Sequence, residues 1–452
     1  MVLKLHNSFS RSTEEFIPLN NEVVTLYTCG PTVYNYPHIG NYRAYIFGDI
    51  LKRVLVHNGY TVKHIMNITD VDDKTIRNSQ MEGKPLREFT NFFIEEFYKD
   101  RDMLNIIPAS LYTRATDYID EMVTLIEKLI EKNHAYKGED GSIYFKISSF
   151  KEYGSLTHLD LSQLEKNASG RMNADEYDKD NAKDFALWKA WDKNDGDVFW
   201  ETRLGKGHPG WHIECSAMSM KNLGETIDIH TGGIDNMFPH HENEIAQSEC
   251  TTGKQFVRYW MHNQWLLVDG KKMAKSANNF YTLRDIIERG YNPLAYRYLN
   301  LLSKYGVPLN FTWESLEAAQ NAYKKILKYY QSLDNVASGE IDTDYAKKFF
   351  DAINDDLNTP QALGIVWKMI GDTSIDNESK KATLLKFDEI LGLGLNNLKK
   401  VSIPKDIEKL VADREDARKS GDWDKSDKIR EEILKQGFNI KDTEDGPRVT
   451  AI

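Results

Sequence analysis

The sequence predicts an α/β fold, in which a doubly wound parallel sheet precedes a helical region and a small terminal unit. One observation is a strand–helix–strand unit near the N-terminus. Residues 23–27 (Val-Val-Thr-Leu-Tyr) and 61–68 have the β-branched side chains typical of strands. Between them, apolar residues recur at helical spacing from residue 44 until Asn58 and Gly59 end the helix. A second observation is that helical patterns continue almost without interruption after residue 281.

Polar residues are concentrated in the first crossover loop of this unit, where open parallel sheets bind ligands. Residues 36–41 (Tyr-Pro-His-Ile-Gly-Asn) lie where a strand passes into a helix, so backbone N–H groups and the helix dipole favour phosphate. Residues 271–276 (Lys-Lys-Met-Ala-Lys-Ser) place lysines and a hydroxyl on a tight loop, which suits departing pyrophosphate. Together the segments predict two sides of an ATP site. The absence of a GxGxxG motif disfavours a dinucleotide site.

An insertion interrupts the sheet domain. Residues 1–115 supply its first half and residues 200–280 its second. The insertion, residues 116–199, begins with a helical pattern over 117–132 and continues as a polar, irregular stretch over 136–183. Further strands of the sheet are predicted near residues 226–230 and 256–261.

The C-terminal third is predicted to be helical. Residues 281–400 form a bundle, and residues 405–452 form a terminal unit of two helices and a short hairpin. The longer predicted helices of these segments are residues 313–333, 344–356, 360–370, 405–420 and 422–436.

Bulk properties exclude several classes of protein. A chain of 452 residues is expected to form about two to four domains. It has no apolar run of about twenty residues, and its N-terminus lacks the apolar core of a signal peptide. Three cysteines are too few for a disulfide framework, which favours a reduced, intracellular setting. The net charge of −11 argues against indiscriminate coating of nucleic acid but permits recognition of one folded RNA.

Residues 38–41 (His-Ile-Gly-Asn) and 272–276 (Lys-Met-Ala-Lys-Ser) resemble the HIGH and KMSKS signatures of class I aminoacyl-tRNA synthetases. Longer segments are similar to the cysteinyl-tRNA synthetase family in particular. They are residues 28–34 (Thr-Cys-Gly-Pro-Thr-Val-Tyr), 67–74 (Asn-Ile-Thr-Asp-Val-Asp-Asp-Lys), 210–218 (Gly-Trp-His-Ile-Glu-Cys-Ser-Ala-Met) and 238–244 (Phe-Pro-His-His-Glu-Asn-Glu). The resemblance runs from about residue 5 to the C-terminus. It implies a Rossmann-like catalytic domain with a connective insertion, a tRNA-contacting helical bundle and a C-terminal anticodon-binding unit.

The resemblance implies one zinc ion held by Cys29, Cys215, His240 and Glu244. The pattern alone is weak because it contains no CxxC pair. His240 and Glu244 are spaced to share one helix face, and two thiolates, an imidazole and a carboxylate are normal zinc ligands. Ordinary contacts distinguish cysteine from serine only by about 10–200-fold. Zinc prefers a thiolate to a neutral hydroxyl, so it would select cysteine without an editing domain.

The ATP side is implied at His38, Gly40, Asn41, Lys272 and Lys275, with Ser276 beside them. His38 and Asn41 are expected to donate hydrogen bonds, and Gly40 to let adenosine approach the backbone. Lys272 and Lys275 are expected to neutralise the β- and γ-phosphates with Mg²⁺. The family's usual serine is replaced here by Ala274, which removes one hydroxyl from this loop.

Thr69, Trp211 and Asp235 resemble family positions near the bound amino acid, with Asp235 suited to its ammonium group. Three acidic residues of the segment 67–74 are either active-site groups or helix-capping residues, namely Asp70, Asp72 and Asp73. His241 either serves the substrate or lies at the surface. Residues 211–215 are expected to be extended, with alternate side chains inside and outside.

Basic residues in the helical region and terminal unit are candidates for phosphate contacts, and the same residues suit solvated helix faces. They are Arg297, Lys324, Lys325, Lys328, Arg414, Arg418, Lys428 and Arg430. Trp423 either stacks on an unpaired base or anchors the core of the terminal unit.

The implied activity is attachment of L-cysteine to tRNA(Cys) with ATP, by a cytoplasmic monomer without membrane association. One alternative is a ligase of the same fold that joins cysteine to an amino sugar, which would lack the terminal unit. Another is a non-enzymatic, zinc-stabilised RNA-binding relative, which would lose His38 or the phosphate-binding lysines.

Overall fold

The fold is described from a computed structural model of the chain. The structure describes residues 2–158, 184–273, 279–395, 404–436, 438–443 and 446–451. These residues form two compact units, Met1–Leu395 and Asn396–Ile452. Among the described residues, no helix combines the length and apolar character needed to cross a membrane.

Helices and strands of the first unit are numbered in chain order. The helices are α1 (Ile39–His57), α2 (Asp73–Met81), α3 (Leu86–Met103), α4 (Ile119–Glu131), α5 (Trp211–Leu223), α6 (Glu242–Thr252), α7 (Leu283–Glu288), α8 (Pro293–Leu301), α9 (Trp313–Ser332), α10 (Thr343–Asn354), α11 (Thr359–Gly371) and α12 (Asn377–Leu391). The strands are β1 (Lys4–Asn7), β2 (Ser12–Glu15), β3 (Val23–Thr28), β4 (Thr61–Ile68), β5 (Leu111–Arg114), β6 (Ala135–Lys137), β7 (Ile143–Phe145), β8 (Phe185–Ala190), β9 (Trp200–Thr202), β10 (Gly205–Pro209), β11 (Ile227–Gly233), β12 (Val257–Asn263), β13 (Leu266–Val268), β14 (Lys271–Lys272) and β15 (Leu309–Phe311).

The central sheet is parallel and has the strand order β12-β11-β3-β4-β5. The chain adds β4 and β5 on one side of β3, then returns to add β11 and β12 on the other. This arrangement confirms the predicted doubly wound sheet. Its topological switch point lies between β3 and β11, where Leu26 pairs with Ile229 and Thr28 with Thr231.

Both faces of the sheet are covered, as a parallel sheet requires. Leu26 and Met66 join an apolar cluster that includes residues of α1 and of helices α7 to α12. Their neighbours Tyr27 and Ile65 join a second cluster with residues of α4, α5 and α6. The period-two alternation of each strand therefore supplies two separate cores.

The insertion contains a five-stranded sheet of order β6-β7-β8-β10-β9. The prediction of an irregular stretch is wrong for its described part, because β6 and β7 lie within it. These strands have only three residues each, which is too short to show alternation in a sequence. Strand pairing extends this sheet to Pro209, beyond the predicted boundary at residue 199. Residues 159–183 lie outside the described part of the chain.

The helical region confirms the predicted helices near α9, α10 and α11. The sequence did not indicate α12, whose first turns are polar and whose buried apolar residues begin at Ala382. Arg297 on α8 is fully buried, so its predicted role as an RNA contact is wrong. Its guanidinium lies 2.6 Å from the Asp49 carboxylate and donates to the carbonyls of Leu104 and Leu391.

The second unit contains α13 (Lys405–Lys419), α14 (Trp423–Lys435) and the antiparallel hairpin of β16 (Phe438–Thr443) and β17 (Gly446–Ala451). Its core is formed by Ile429, Ile433 and Ile440. Trp423 is 59% exposed, so its expected role as a core anchor is wrong. Arg414 is buried and pairs with Asp442 at 2.8 Å, so it is not an available phosphate contact.

The buried pair of Arg297 and Asp49 ties α8 to α1. Arg297→Met is expected to lower the free energy of unfolding of the first unit by about 3–5 kcal/mol, because it leaves a buried carboxylate short of a partner. Arg203→Met removes an exposed ion pair with Glu127 and should cost no more than about 1 kcal/mol. Urea denaturation followed by circular dichroism measures both changes, and equal losses would contradict the assigned importance of the buried pair.

Candidate active site

A cavity opens at the carboxyl ends of β3 and β11, at the switch point of the sheet. In open α/β sheets this crevice is where ligands bind. The residues that line it include Cys29, Gly30, Tyr34, Tyr36, His38, Gly40, Asn41, Lys74, Trp211, Asp235, His240, Trp265, Lys272, Met273 and Phe280.

The predicted metal ligands converge at one end of the cavity. Ligand atoms of Cys29, Cys215, His240 and Glu244 all lie within 4.8 Å of one another. Cys29 follows β3, and its backbone N–H donates to Thr231 O on β11 at 3.0 Å. All four residues are buried, and Cys29 and His240 border the cavity.

His240 lies in a short kinked segment, Met237–His241, in which Phe238 has an extended backbone and which leads into α6. Its Nε2 is 3.1 Å from Glu244 Oε1, as the four-residue spacing predicts. On its other side, His240 Nδ1 lies 2.9 Å from His212 Nδ1. This second contact orients the imidazole, as partners of metal-binding histidines commonly do.

Cys215 lies inside α5, which begins at Trp211. The expectation of an extended segment is therefore wrong, and His212 and Glu214 are both buried. The physical reason is that this helix is buried around most of its first turns. It therefore lacks the one-sided apolar pattern that identifies a surface helix in a sequence.

The two thiols have different electrostatic surroundings. Burial alone would raise the pKa of the Cys29 thiol. The hydrogen bond with Cys215 and the charges of His241 and His240 outweigh burial, so the pKa of Cys29 lies well below its ordinary value. Burial is the main cause that raises the pKa of the Cys215 thiol well above the ordinary value. The pair can therefore hold one negative charge, while a cation would be needed to stabilise two.

A second donor group shares two members with the first. Cys29, His230, His241 and Glu244 also bring their ligand atoms within 4.8 Å of one another. His241 is fully buried, which excludes the surface alternative considered for it. Its Nε2 lies 3.3 Å from Cys29 Sγ, and its Nδ1 lies 2.8 Å from His262 Nε2.

Sequence reasoning missed His230 and His262. His230 is the last residue of the strand predicted over 226–230, His262 directly follows the strand predicted over 256–261, and both lie near the carboxyl ends of parallel strands. Position at that edge of the sheet was the available signal. The described residues thus contain a possible metal site of thiols, imidazoles and a carboxylate, which are donor types that zinc accepts.

His38 and Asn41 form the N-terminal cap of α1. The Asn41 backbone N–H donates to His38 Nδ1 at 3.1 Å, and the His38 backbone N–H donates to Asn41 Oδ1 at 3.0 Å. Because Nδ1 accepts a hydrogen bond, the neutral imidazole carries its proton on Nε2. The asparagine in this signature therefore completes a capping box.

The two predicted ATP-binding segments meet in space. Ile39 N–H donates to Tyr281 O at 2.8 Å, and His38 pairs with Thr282 as an isolated bridge. A Cβ atom on Gly40 would lie 2.6 Å from Met273 Cε, so this glycine permits close approach of the lysine-containing loop. Lys272 lies at the cavity, whereas Ala274, Lys275 and Ser276 lie outside the described residues.

Trp211 and Asp235 both border the cavity, and the Trp211 ring stacks on His240 with centroids 4.2 Å apart. Thr69 is buried behind the lining, where its hydroxyl donates to Glu214 at 2.8 Å.

The neighbouring acids have structural partners. Asp72 caps α2 through Thr75 N–H, and Asp70 accepts hydrogen bonds from Arg114 and Thr116. Asp73 pairs with Lys189 of the insertion. These contacts support the capping alternative for Asp72, whereas Asp70 and Asp73 bind other side chains and do not cap the helix.

Family models match nearly the whole chain. Residues 15–321 match the tRNA synthetases class I (C) catalytic domain, residues 348–396 the DALR domain, and residues 401–448 the cysteinyl-tRNA ligase anticodon binding domain. The cysteine–tRNA ligase of Chlamydia muridarum is 46% identical over 100% of both chains. That of Brachyspira hyodysenteriae is 47% identical over 98% of both.

The chain belongs to the cysteinyl-tRNA synthetase family.

Solved structures show the same fold at low sequence identity. Mycobacterium tuberculosis methionyl-tRNA synthetase in complex with methionyl-adenylate has a TM-score of 0.57 at 14% identity, covering 82% of this chain and 90% of that chain. The LeuRS of Agrobacterium radiobacter K84, in a ternary complex with tRNA, has a TM-score of 0.60 at 11% identity, covering 84% of each chain. The class I synthetase fold is thus shared between this cysteinyl-tRNA synthetase family member and other synthetases.

The first donor group predicts that zinc binding depends on Cys215 and does not depend on Cys250. Cys215→Ala removes a buried donor, so zinc bound per chain should fall from about one to near zero after dialysis against a chelator. Cys250→Ala is the matched control, because Cys250 is buried outside both donor groups. Plasma mass spectrometry measures the metal, and equal zinc content in the two variants would exclude Cys215 as a ligand.

Proposed function

We propose that the chain is a cysteine–tRNA ligase, which activates L-cysteine with ATP and transfers it to the 3′-terminal adenosine of tRNA(Cys). One observation carries this proposal. A single cavity is bordered by Cys29 and His240 at the donor cluster and by His38 and Lys272 at the other predicted site. An amino acid held by its side chain at the first group would present its carboxylate toward a nucleotide at the second.

Selection of cysteine is assigned to one zinc ion held by Cys29, Cys215, His240 and Glu244. When bound there, zinc would supply a coordination position that accepts a thiolate far better than a hydroxyl. Cys29 and His240 border the cavity, so the donor cluster is accessible from the substrate side. Trp211 stacks on His240 and forms part of the pocket wall, and Asp235 can bind the substrate ammonium group.

Activation requires positioning and charge stabilisation more than a dedicated base. The cysteine carboxylate attacks the α-phosphorus of ATP and releases pyrophosphate. His38 donates from Nε2 to an α-phosphate oxygen, because its Nδ1 is engaged in the helix cap. Lys272, with Lys275 and Mg²⁺, neutralises the β- and γ-phosphates. Ser276, on the same loop as Lys275, is the remaining predicted contact with ATP.

In the second step, a ribose hydroxyl of the terminal adenosine attacks the cysteinyl carbonyl and displaces AMP. The match to an anticodon-binding domain at residues 401–448 supports tRNA as the acceptor. It argues against an amino-sugar acceptor, since such a ligase was expected to lack this unit. Cytoplasmic location and a monomeric state stay predictions from the family resemblance.

The proposal is tested by attachment of labelled cysteine to total tRNA by the purified, zinc-loaded chain with ATP. Acid-stable label is expected with cysteine and not with serine, because only the thiolate can occupy the metal position. If cysteine-dependent pyrophosphate exchange occurs without label on tRNA, the catalytic proposal survives and the acceptor is wrong. Equal labelling by serine would reject selection by zinc.

The variant His38→Asn separates the role of His38 in capping α1 from its proposed role as a hydrogen-bond donor to ATP. Asparagine is a good N-cap residue, so the free energy of unfolding should change by less than about 0.5 kcal/mol, whereas His38→Ala should cost about 1 kcal/mol. Both variants lose the imidazole Nε2–H, so cysteine-dependent pyrophosphate exchange should fall by about 10²–10³-fold in each. Full exchange by His38→Asn would show that His38 acts only as a cap.

A further inference from the structure

Trp265 has no role in the predicted ATP site, yet its side chain borders the cavity and is 42% exposed. It directly precedes β13. The backbone is fixed at this point, because Trp265 O accepts a hydrogen bond from Leu309 N at 3.1 Å. The main chain that carries this aromatic ring is therefore anchored at the edge of the cavity by its pairing with β15.

A tight hairpin returns the chain from Trp265 to Lys272. Leu267 pairs with Lys272 and Val268 with Lys271, so Asp269 and Gly270 form the turn. Both turn residues have positive φ, 49° and 73°, as in the two-residue turns that suit antiparallel strands. Gly270 N–H also donates to the Asn310 side chain at 2.7 Å. The hairpin thus sets the spacing between the ring and the lysine.

The Lys272 ammonium lies over the Trp265 ring, 5.1 Å from its centroid. Tryptophan gives the strongest cation–π contact among the aromatic residues. A free lysine side chain loses much rotamer freedom when a ligand fixes it. A lysine already held at the cavity loses less of that freedom when phosphate arrives. The ammonium has three donors, so contact with the ring leaves donors for a phosphate.

We propose that Trp265 is a positioning residue for ATP, which holds the Lys272 ammonium at the cavity before the nucleotide binds. This inference rests on the proposed function, in which Lys272 neutralises nucleotide phosphate. The ring acts through the lysine and not by stacking on the purine. Replacement of Trp265 should therefore weaken ATP binding only while residue 272 is positively charged.

A double-mutant cycle tests this coupling. The dissociation constant of Mg-ATP is measured by calorimetry on the full, zinc-loaded chain without cysteine or tRNA. Trp265→Leu should weaken binding by about two- to fivefold, the equilibrium equivalent of an exposed cation–π contact. Trp265→Phe keeps a ring and should recover most of the loss. In a Lys272→Met background, Trp265→Leu should change the dissociation constant by less than about 1.5-fold.

Trp191→Leu is the matched control for loss of an exposed tryptophan. Trp191 is 37% exposed and lies under Lys206, whose ammonium is 3.6 Å from its ring centroid, on the insertion sheet. This variant should leave ATP affinity unchanged. Thermal unfolding of every variant checks that the fold is intact. In steady state, Trp265→Leu should raise KM for ATP and leave KM for cysteine unchanged.

An equal loss in both lysine backgrounds would overturn the inference, because the ring would then contact the nucleotide itself. Tighter binding by Trp265→Leu would also overturn it, since the ring would then compete with phosphate for the lysine. The proposed function fails separately, if the wild-type chain binds ATP but neither activates nor transfers cysteine. A wild-type chain that charges tRNA while the cycle shows no coupling rejects the role of Trp265 alone.

Discussion

The parallel pairing of β3 with β11 is the constraint on which the candidate site depends. These strands are far apart in sequence, and their register places Thr28 beside Thr231. Cys29 then leaves β3 next to the end of β11, from which the chain continues to His240 and Glu244. A shift of one residue would turn the strand's side chains to the opposite face. The donor cluster would be dispersed by such a shift, whatever its residues.

Close backbone approach makes this edge of the sheet compact. A Cβ atom on Gly30 would lie 1.8 Å from Asn67 O, and one on Gly232 would lie 2.7 Å from the His241 ring. Both positions therefore exclude a side chain. Two buried histidines at this edge contact each other, through His241 Nδ1 and His262 Nε2. The other ring nitrogen of His262 contacts the Ser8 hydroxyl. Such contacts fix the ring orientations around the donor cluster.

Local patterns predicted much of the fold. Thr61–Ile68 was recognised as a strand with the bounds that the structure shows, because its β-branched residues are flanked by clear breaks. Two strands of the insertion sheet, β6 and β7, lie within the stretch predicted to be irregular and were missed because three-residue strands carry too little pattern. Arg297 and Arg414 were candidate RNA contacts, although each is buried against a carboxylate. A sequence contains no direct signal of which arginines meet a buried partner, since that partner comes from a distant segment.

The sequence by itself determined the doubly wound sheet, the helical C-terminal third and the residue types available for thiol and phosphate chemistry. These follow from local periodicity and from motifs that resemble one family. Only the tertiary structure decided which of them share a cavity. His230 and His262 joined the site through strand order, and proximity of this kind arises when distant segments pack together, so no local preference encodes it. The hairpin that brings Trp265 to Lys272 is local, but only its pairing with β15 fixes it in the fold.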